Sequence, residues 1–103
     1  MADLLSDEAI TAALATMDGW QVAGSVAAGA EIMRTVQLPS FPAAIGVVDR
    51  VAEVAEEMDH HPDIDIRWRQ LTFRCSTHSK GGVTELDLRL AGRINEIVSA
   101  VAP

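Results

Sequence analysis

Three histidines are the residues of this chain best suited to moving protons, and they fall in two short segments, Asp59-His60-His61-Pro62 and Thr77-His78. An imidazole with its ordinary pKa of about 6.5 exchanges protons near neutral pH. The neighbours His60 and His61 cannot easily be protonated together, so their titrations should separate. One ring can then act as an acid while another acts as a base. Glu56 lies one helical turn before His60, and Asp59 sits beside it. Carboxylates so placed can orient an imidazole or accept N–H groups of a ligand. Metal binding is a second chemistry open to three histidines, which can hold zinc with one open position. Side chains at 60 and 61 point apart in helix and strand alike, so no metal is expected. The plainest alternative is a polar helix C-terminus whose imidazoles complement the helix dipole.

Other catalytic patterns are missing. No Ser or Cys sits in a recognisable nucleophile turn, and Lys80-Gly81-Gly82 is too short for a phosphate-binding loop and reads as a turn. Cys75 is the only cysteine, which excludes an intrachain disulfide and a cysteine-rich zinc site. Its place in the alternation Leu71, Phe73, Cys75 predicts a buried, inert thiol.

The histidines need elements to carry them. Ser6 is a helix N-cap, with Asp7 and Glu8 favoured in the first turn by the dipole. Ile10, Leu14 and Met17 mark one face of this helix, and Gly19 ends it. Residues 20–22 and about 31–38 read as strands joined by a turn around Gly24 to Gly29, with Val36 and Leu38 inward and Thr35 and Gln37 outward. Ser40-Phe41-Pro42 starts a second helix, where Pro is tolerated in the first turn. Its apolar stripe is Val47, Val51, Val54 and Met58. It must stop near Asp59, because Pro62 drives His61 out of helical geometry. Residues 64–68 and 71–75 read as a hairpin. Thr84 caps a third helix, Asp87 completes an acidic capping box, and Leu90, Ile94, Ile97 and Val101 form the apolar face. Short turns between adjacent strands imply antiparallel pairing. The expected fold is α+β and two-layered: a four-stranded antiparallel sheet with three helices on one face, in the order α-β-β-α-β-β-α.

With 103 residues the chain fills one domain, residues 1–103. Hydrophobic residues make up 49% and charged residues 22%, which suits a packed core rather than disorder. A net charge of −7 argues against a nucleic-acid surface, although Arg67, Arg69 and Arg74 fall close together. No apolar run approaches the ~18 residues of a membrane span. The first five residues lack the basic start and apolar run of a signal peptide. A cytoplasmic location is expected.

The pattern Glu56-x-x-x-His60-His61-Pro62, then five residues, Trp68, nine residues, His78, and Asp87 nine positions on, resembles the pterin-4a-carbinolamine dehydratase family. Ser76-Thr77-His78-x-x-Gly81-Gly82-Val83-Thr84-x-x-Asp87 is similar to the family's second signature. Gly19-Trp20 and Phe41 also stand where the family places a Trp and a Phe. The resemblance covers about Ser6 to Val101. It implies dehydration of 4a-hydroxytetrahydropterin to quinonoid dihydropterin, in recycling of the tetrahydrobiopterin used by aromatic amino-acid hydroxylases. It implies no metal and no organic cofactor, and a homo-oligomer, dimer or tetramer. His60 and His78 correspond to the acid–base pair, and His61 to the histidine that chiefly binds the pterin. Glu56, Asp59, Ser76, Thr77 and Ser79 fall around the ligand, and Asp87 where the family keeps an acid near the site. Family members can also act as dimerisation partners of a transcription factor, and related domains assist assembly of a carbon-fixing enzyme. Such roles would not require the three histidines. Ile64 stands where animal members carry Trp, so their ring-stacking contact is not carried over. Trp68 stands where tyrosine is common; a strand Trp there belongs to a core or a subunit interface more naturally than to the pterin. Arg67 and Arg69 have no place in the pterin reading.

Overall fold

The computed structural model describes residues 3–24 and 29–101. Its elements are α1 (Asp7–Leu14), β1 (Gln21–Ala23), β2 (Glu31–Gln37), α2 (Phe41–Met58), β3 (Asp63–Arg67), β4 (Gln70–Cys75) and α3 (Glu85–Val101), with a short 3-10 helix at His78–Lys80. The strands form one antiparallel sheet in the order β1-β2-β4-β3, so two hairpins lie side by side with β2 against β4. The expected order of elements is the order found. Residues 25–28 of the expected β1–β2 turn lie outside the described residues.

Alternation along the strands decides which face meets the helices. Ile32, Val36, Leu71, Phe73 and Cys75 are buried on one face, beneath Val47, Val51 and Val54 of α2 and Leu90, Ile94 and Val98 of α3. Burying a side chain of this size contributes about 1.5–3 kcal/mol, so this layer dominates stability. The opposite face is polar. There Thr35 and Thr72 share a 2.9 Å hydroxyl contact, Arg74 meets Glu31 at 3.1 Å and Arg67 meets Asp65 at 3.3 Å. Arg34 interrupts the apolar face of β2. Its guanidinium and the Trp20 indole N–H both donate to Asn95 Oδ1, at 2.5 and 2.7 Å, tying β2 and the start of β1 to α3. Burial lowers the pKa of Arg34, and Asp18 opposes that shift.

The caps are where their residue types predict them. The Ser6 and Ser40 side chains accept from the N–H groups of Ala9 and Ala43, each at 3.1 Å. Three expectations change. Helix α1 ends at Leu14 rather than running to Gly19, because Thr16 and Met17 bond three residues back, to Ala13 and Leu14, and the Thr16 hydroxyl also takes Ala13 O. Trp20 precedes β1 and is buried, its ring held by Asn95. Strand β3 stops at Arg67, and Trp68 forms the hairpin turn with a left-handed φ of 54° and 70% exposure. It is no core residue of the protomer. Arg69 stacks on its ring at 4.8 Å and donates to Leu38 O at 3.2 Å, which gives that arginine a structural place.

Candidate active site

Both histidine segments leave the same end of the β3–β4 hairpin, because Asp63, which opens β3, pairs with Arg74 near the end of β4. Helix α2 closes on Asp59, whose left-handed φ of 50° lets its N–H reach the carbonyls of Ala55 and Glu56. His60 N–H bonds Ala55 O at 3.0 Å. This reversal parts the two neighbouring rings.

His60 is buried. Its Nε2 lies 2.5 Å from Oδ1 of Asp87, a carboxylate with no solvent exposure. Oδ2 of the same carboxylate accepts from the Thr77 hydroxyl and from the Thr84 backbone N–H, both at 2.8 Å. The Thr84 hydroxyl lies 2.8 Å from that of Thr77 and accepts from Leu86 N–H at 3.3 Å. Asp87 therefore does two things at once: one oxygen closes the capping box of α3, and the other holds His60. Nδ1 of His60 has no hydrogen-bond partner among the described residues.

His61 faces the other way. Its Nε2 meets Glu56 Oε1 at 2.8 Å, with 57% and 82% of the two side chains exposed. Such a pair contributes about 0–1 kcal/mol and is weakened by salt. Glu56, one turn before His60 in sequence, thus partners His61, and the carboxylate that orients His60 comes from α3. Asp59 is exposed, and the bonds that its cap makes come from its backbone.

His78 and Ser79 are exposed on the 3-10 turn. Gly81 closes that turn at φ 74°, a conformation that suits glycine, and its N–H bonds the carbonyls of Thr77 and His78. Thr77 N–H bonds Gly82 O at 2.7 Å across the same turn. A cavity of about 200 Å³ lies against it, lined by Ala30, Glu31, Ser76, His78, Gly81 and Gly82. Ser76 is half-buried at this cavity, whereas Thr77 turns inward, its hydroxyl committed to Asp87 and Thr84. The side chain of Thr77 supports the site from beneath. A larger hollow of about 650 Å³ runs over the outer side of α2 along Ala52, Glu53, Glu56 and Glu57. Its lining carries carboxylates and no imidazole, whereas His78 lines the smaller cavity.

Two residues of this neighbourhood are not singled out as site residues by the sequence. Glu31 reaches the cavity through the β2–β4 register, in which Ile32 faces Cys75. Thr84 reads as a cap, and its contact with Thr77 is made only in the folded chain. Burial pushes the Cys75 thiol up, and Asp87, Asp63 and Glu31 push it further, which removes it as a nucleophile. Among the described residues, no group of three or more His, Cys, Asp or Glu is placed to hold a metal ion.

The family model described as Pterin 4 alpha carbinolamine dehydratase matches residues 3–97. The chain belongs to the pterin-4a-carbinolamine dehydratase family. A Nocardia farcinica protein named provisionally as a pterin-4-alpha-carbinolamine dehydratase is 57% identical over 95 residues, 92% of this chain and 95% of that protein. A protein of the same provisional name from Mycolicibacterium smegmatis is 51% identical over 96 residues, 93% of this chain and 97% of its own length. The crystal structure of a transcriptional coactivator/pterin dehydratase from Brucella melitensis superposes with a TM-score of 0.85 at 33% identity, covering 92% of this chain and 98% of that one. A pterin dehydratase-like protein identified as a RuBisCO assembly factor shares the fold alone, with a TM-score of 0.64 at 18% identity, covering 77% of this chain and 88% of that one. The element order found here is that of the pterin dehydratase fold. Among the described residues no helix is long and apolar enough to cross a membrane.

Proposed function

We propose that this protein dehydrates 4a-hydroxytetrahydropterin to quinonoid dihydropterin by histidine acid–base chemistry, as a cytoplasmic step in tetrahydrobiopterin recycling. The reading rests on the observation that one imidazole, His60, is buried on a carboxylate while His61 and His78 stay exposed near the same hairpin end. The reaction breaks the C4a–O bond and the N5–H bond and forms the C4a–N5 double bond. A proton delivered to the leaving hydroxyl makes water, and the N5 proton goes to a base. His60 and His78 are the pair for these two transfers, and His61 holds the ring. Assistance of this kind is worth roughly 10²–10⁴-fold. Asp59, Ser76 and Ser79 contribute polar groups around the ligand, and Glu56 acts through His61.

The test is stopped-flow dehydration of freshly generated 4a-hydroxytetrahydropterin, with and without protein. A rate equal to the spontaneous one would sink the reading. It would favour the other role suggested by relatives, a non-catalytic assembly or dimerisation partner on the same fold. Both readings include self-association. Phe41, Ile66 and Trp68 are 48%, 43% and 70% exposed in the protomer, apolar surface that a homodimer or homotetramer would cover. Light scattering should give a multiple of the 11.0 kDa chain mass at micromolar concentration, and the monomer mass would contradict it.

A further inference from the structure

We propose that Glu31 is a specificity-determining residue: in the cavity that it shares with His78, its carboxylate accepts the N–H groups of the pterin's aminopyrimidine edge. The proposal rests on the dehydratase reading, and it names the edge of the substrate that is read and the side chain that reads it.

The chemistry of the ring leaves that edge to be recognised. Bonds break at C4a and N5. The far side of the pyrimidine carries N3–H and the 2-amino group side by side, two donors that lose water on binding. A donor withdrawn from water without a new acceptor weakens the complex. A carboxylate has two acceptor oxygens and no proton to give, so it matches a pair of adjacent N–H groups.

Glu31 is the one carboxylate among the described residues that line the His78 cavity of about 200 Å³. Ile32 is fully buried, so Glu31, one residue before it in β2, projects from the opposite face of the sheet, where Arg74 also lies. Arg74 donates to Glu31 Oε1 at 3.1 Å and is itself held by the Met33 sulfur at 3.6 Å. Oε2 makes no hydrogen bond among the described residues. The carboxylate is thus anchored through one oxygen, with the other open, and its side chain is only 29% exposed. The rest of the lining is glycine, Ala30 and Ser76, whose short side chains leave room for a flat ring. A Cβ added at Gly29 would lie 3.5 Å from the Gly81 carbonyl, so the two segments face each other as bare backbone. A ring whose reacting side meets His78 here has its other edge to satisfy, and Glu31 is the acceptor at hand.

The test compares a 7,8-dihydropterin with the same compound lacking the 2-amino group, by titration calorimetry. The unaltered protein should bind the amino compound at least ten-fold more tightly, as expected when one compound alone supplies a donor to a partly buried charged acceptor. Glu31→Gln keeps the shape and replaces one acceptor oxygen by a donor. It should bring the two affinities within two-fold of each other, and raise KM for the 4a-hydroxytetrahydropterin with kcat nearly unchanged. Arg74→Met breaks the same ion pair but keeps the carboxylate, and should retain a preference for the amino compound. Equal weakening of both compounds in Glu31→Gln, or an unchanged preference, would reduce the Glu31–Arg74 pair to a cross-strand ion pair and overturn the proposal. A fall in kcat alone would make Glu31 a proton acceptor instead and overturn it too. If Glu31→Gln does not fold, the unaltered protein and Arg74→Met decide: equal affinity for the two compounds in both would overturn the proposal, and a ten-fold preference would support it. Selective binding without accelerated dehydration would remove the dehydratase reading and leave the recognition standing. Accelerated dehydration without selectivity would do the reverse, and no binding of either compound would overturn both.

Discussion

The two walls of the proposed site are built to opposite standards. On one, where α2 meets the start of α3, His60, Asp87, Thr77 and Thr84 are buried and both oxygens of Asp87 are engaged in one network. On the other, His61 leans on an exposed glutamate and His78 stands on a single 3-10 turn. Sequence neighbours thus belong to different environments: His60 and His61 share a peptide bond and almost nothing else. The dry wall can hold a proton at a defined atom. The wet wall can admit a ligand and release it.

The largest expected effect breaks the dry wall. Asp87→Ala leaves His60, the Thr77 hydroxyl and the Thr84 N–H without their acceptor. Each buried donor left without its acceptor costs about 1–3 kcal/mol. Urea unfolding should show a loss of that order, and a change below about 1 kcal/mol would mean that the network adds little to folding.

Next come the proposed reacting groups. His60→Ala should reduce kcat by about 10²- to 10⁴-fold with little change in KM. His78→Ala should lose more than about ten-fold in turnover while the protein stays folded, because its ring is exposed and supports no core contact. Unchanged turnover in His78→Ala would remove it from the acid–base pair.

A smaller effect is expected on the wet wall. His61→Ala should raise KM and spare kcat, with stability altered by no more than about 0.5 kcal/mol. Glu56→Gln should do the same more weakly, and added salt should erase the difference. Were His61→Ala to lower kcat alone and His60→Ala to raise KM alone, the two walls would have exchanged roles.

Smallest of all is the response of Cys75. Its thiol is raised by burial and by three carboxylates, so little thiolate is present near neutral pH. Iodoacetamide at pH 8 should leave the folded protein unmodified and alkylate it fully in urea. Rapid alkylation of the folded form would show that the end of β4 opens.

The fold was legible because its signals are local. Ser6, Ser40 and Thr84 sit where caps belong, Pro62 limits α2, and the alternation of Leu71, Phe73 and Cys75 sets the face of β4. The errors also have local causes. Thr16 diverts its hydroxyl to the backbone of α1, and Trp68 adopts a conformation that its type disfavours. The candidate site could be proposed from the sequence as a set of residues but not as a set of partners. His60 and Asp87 are separated by the whole β3–β4 hairpin and the turn after it, and no helical or strand periodicity announces their contact. Proximity in sequence favoured Glu56 as the partner of His60, yet the left-handed turn at Asp59 sends the two rings apart. Arg67, Arg69 and Arg74, close together in sequence, separate into an ion pair with Asp65, a cap on Leu38 O and an ion pair with Glu31.

The strand order has a consequence for how the chain acquires its shape. Strands β3 and β4 close over the two residues Trp68 and Arg69, a short loop with a small entropic cost. Pairing β2 with β4 brings Gln37 to Gln70 and must wait for all of α2 to be placed between them. The hairpin whose end carries the histidines is therefore the cheap step, and the middle of the sheet is the late one. Lengthening the Trp68-Arg69 turn with glycines should slow refolding, whereas the same insertion beside Gly24 should do so far less, because β1 has only three residues to gain.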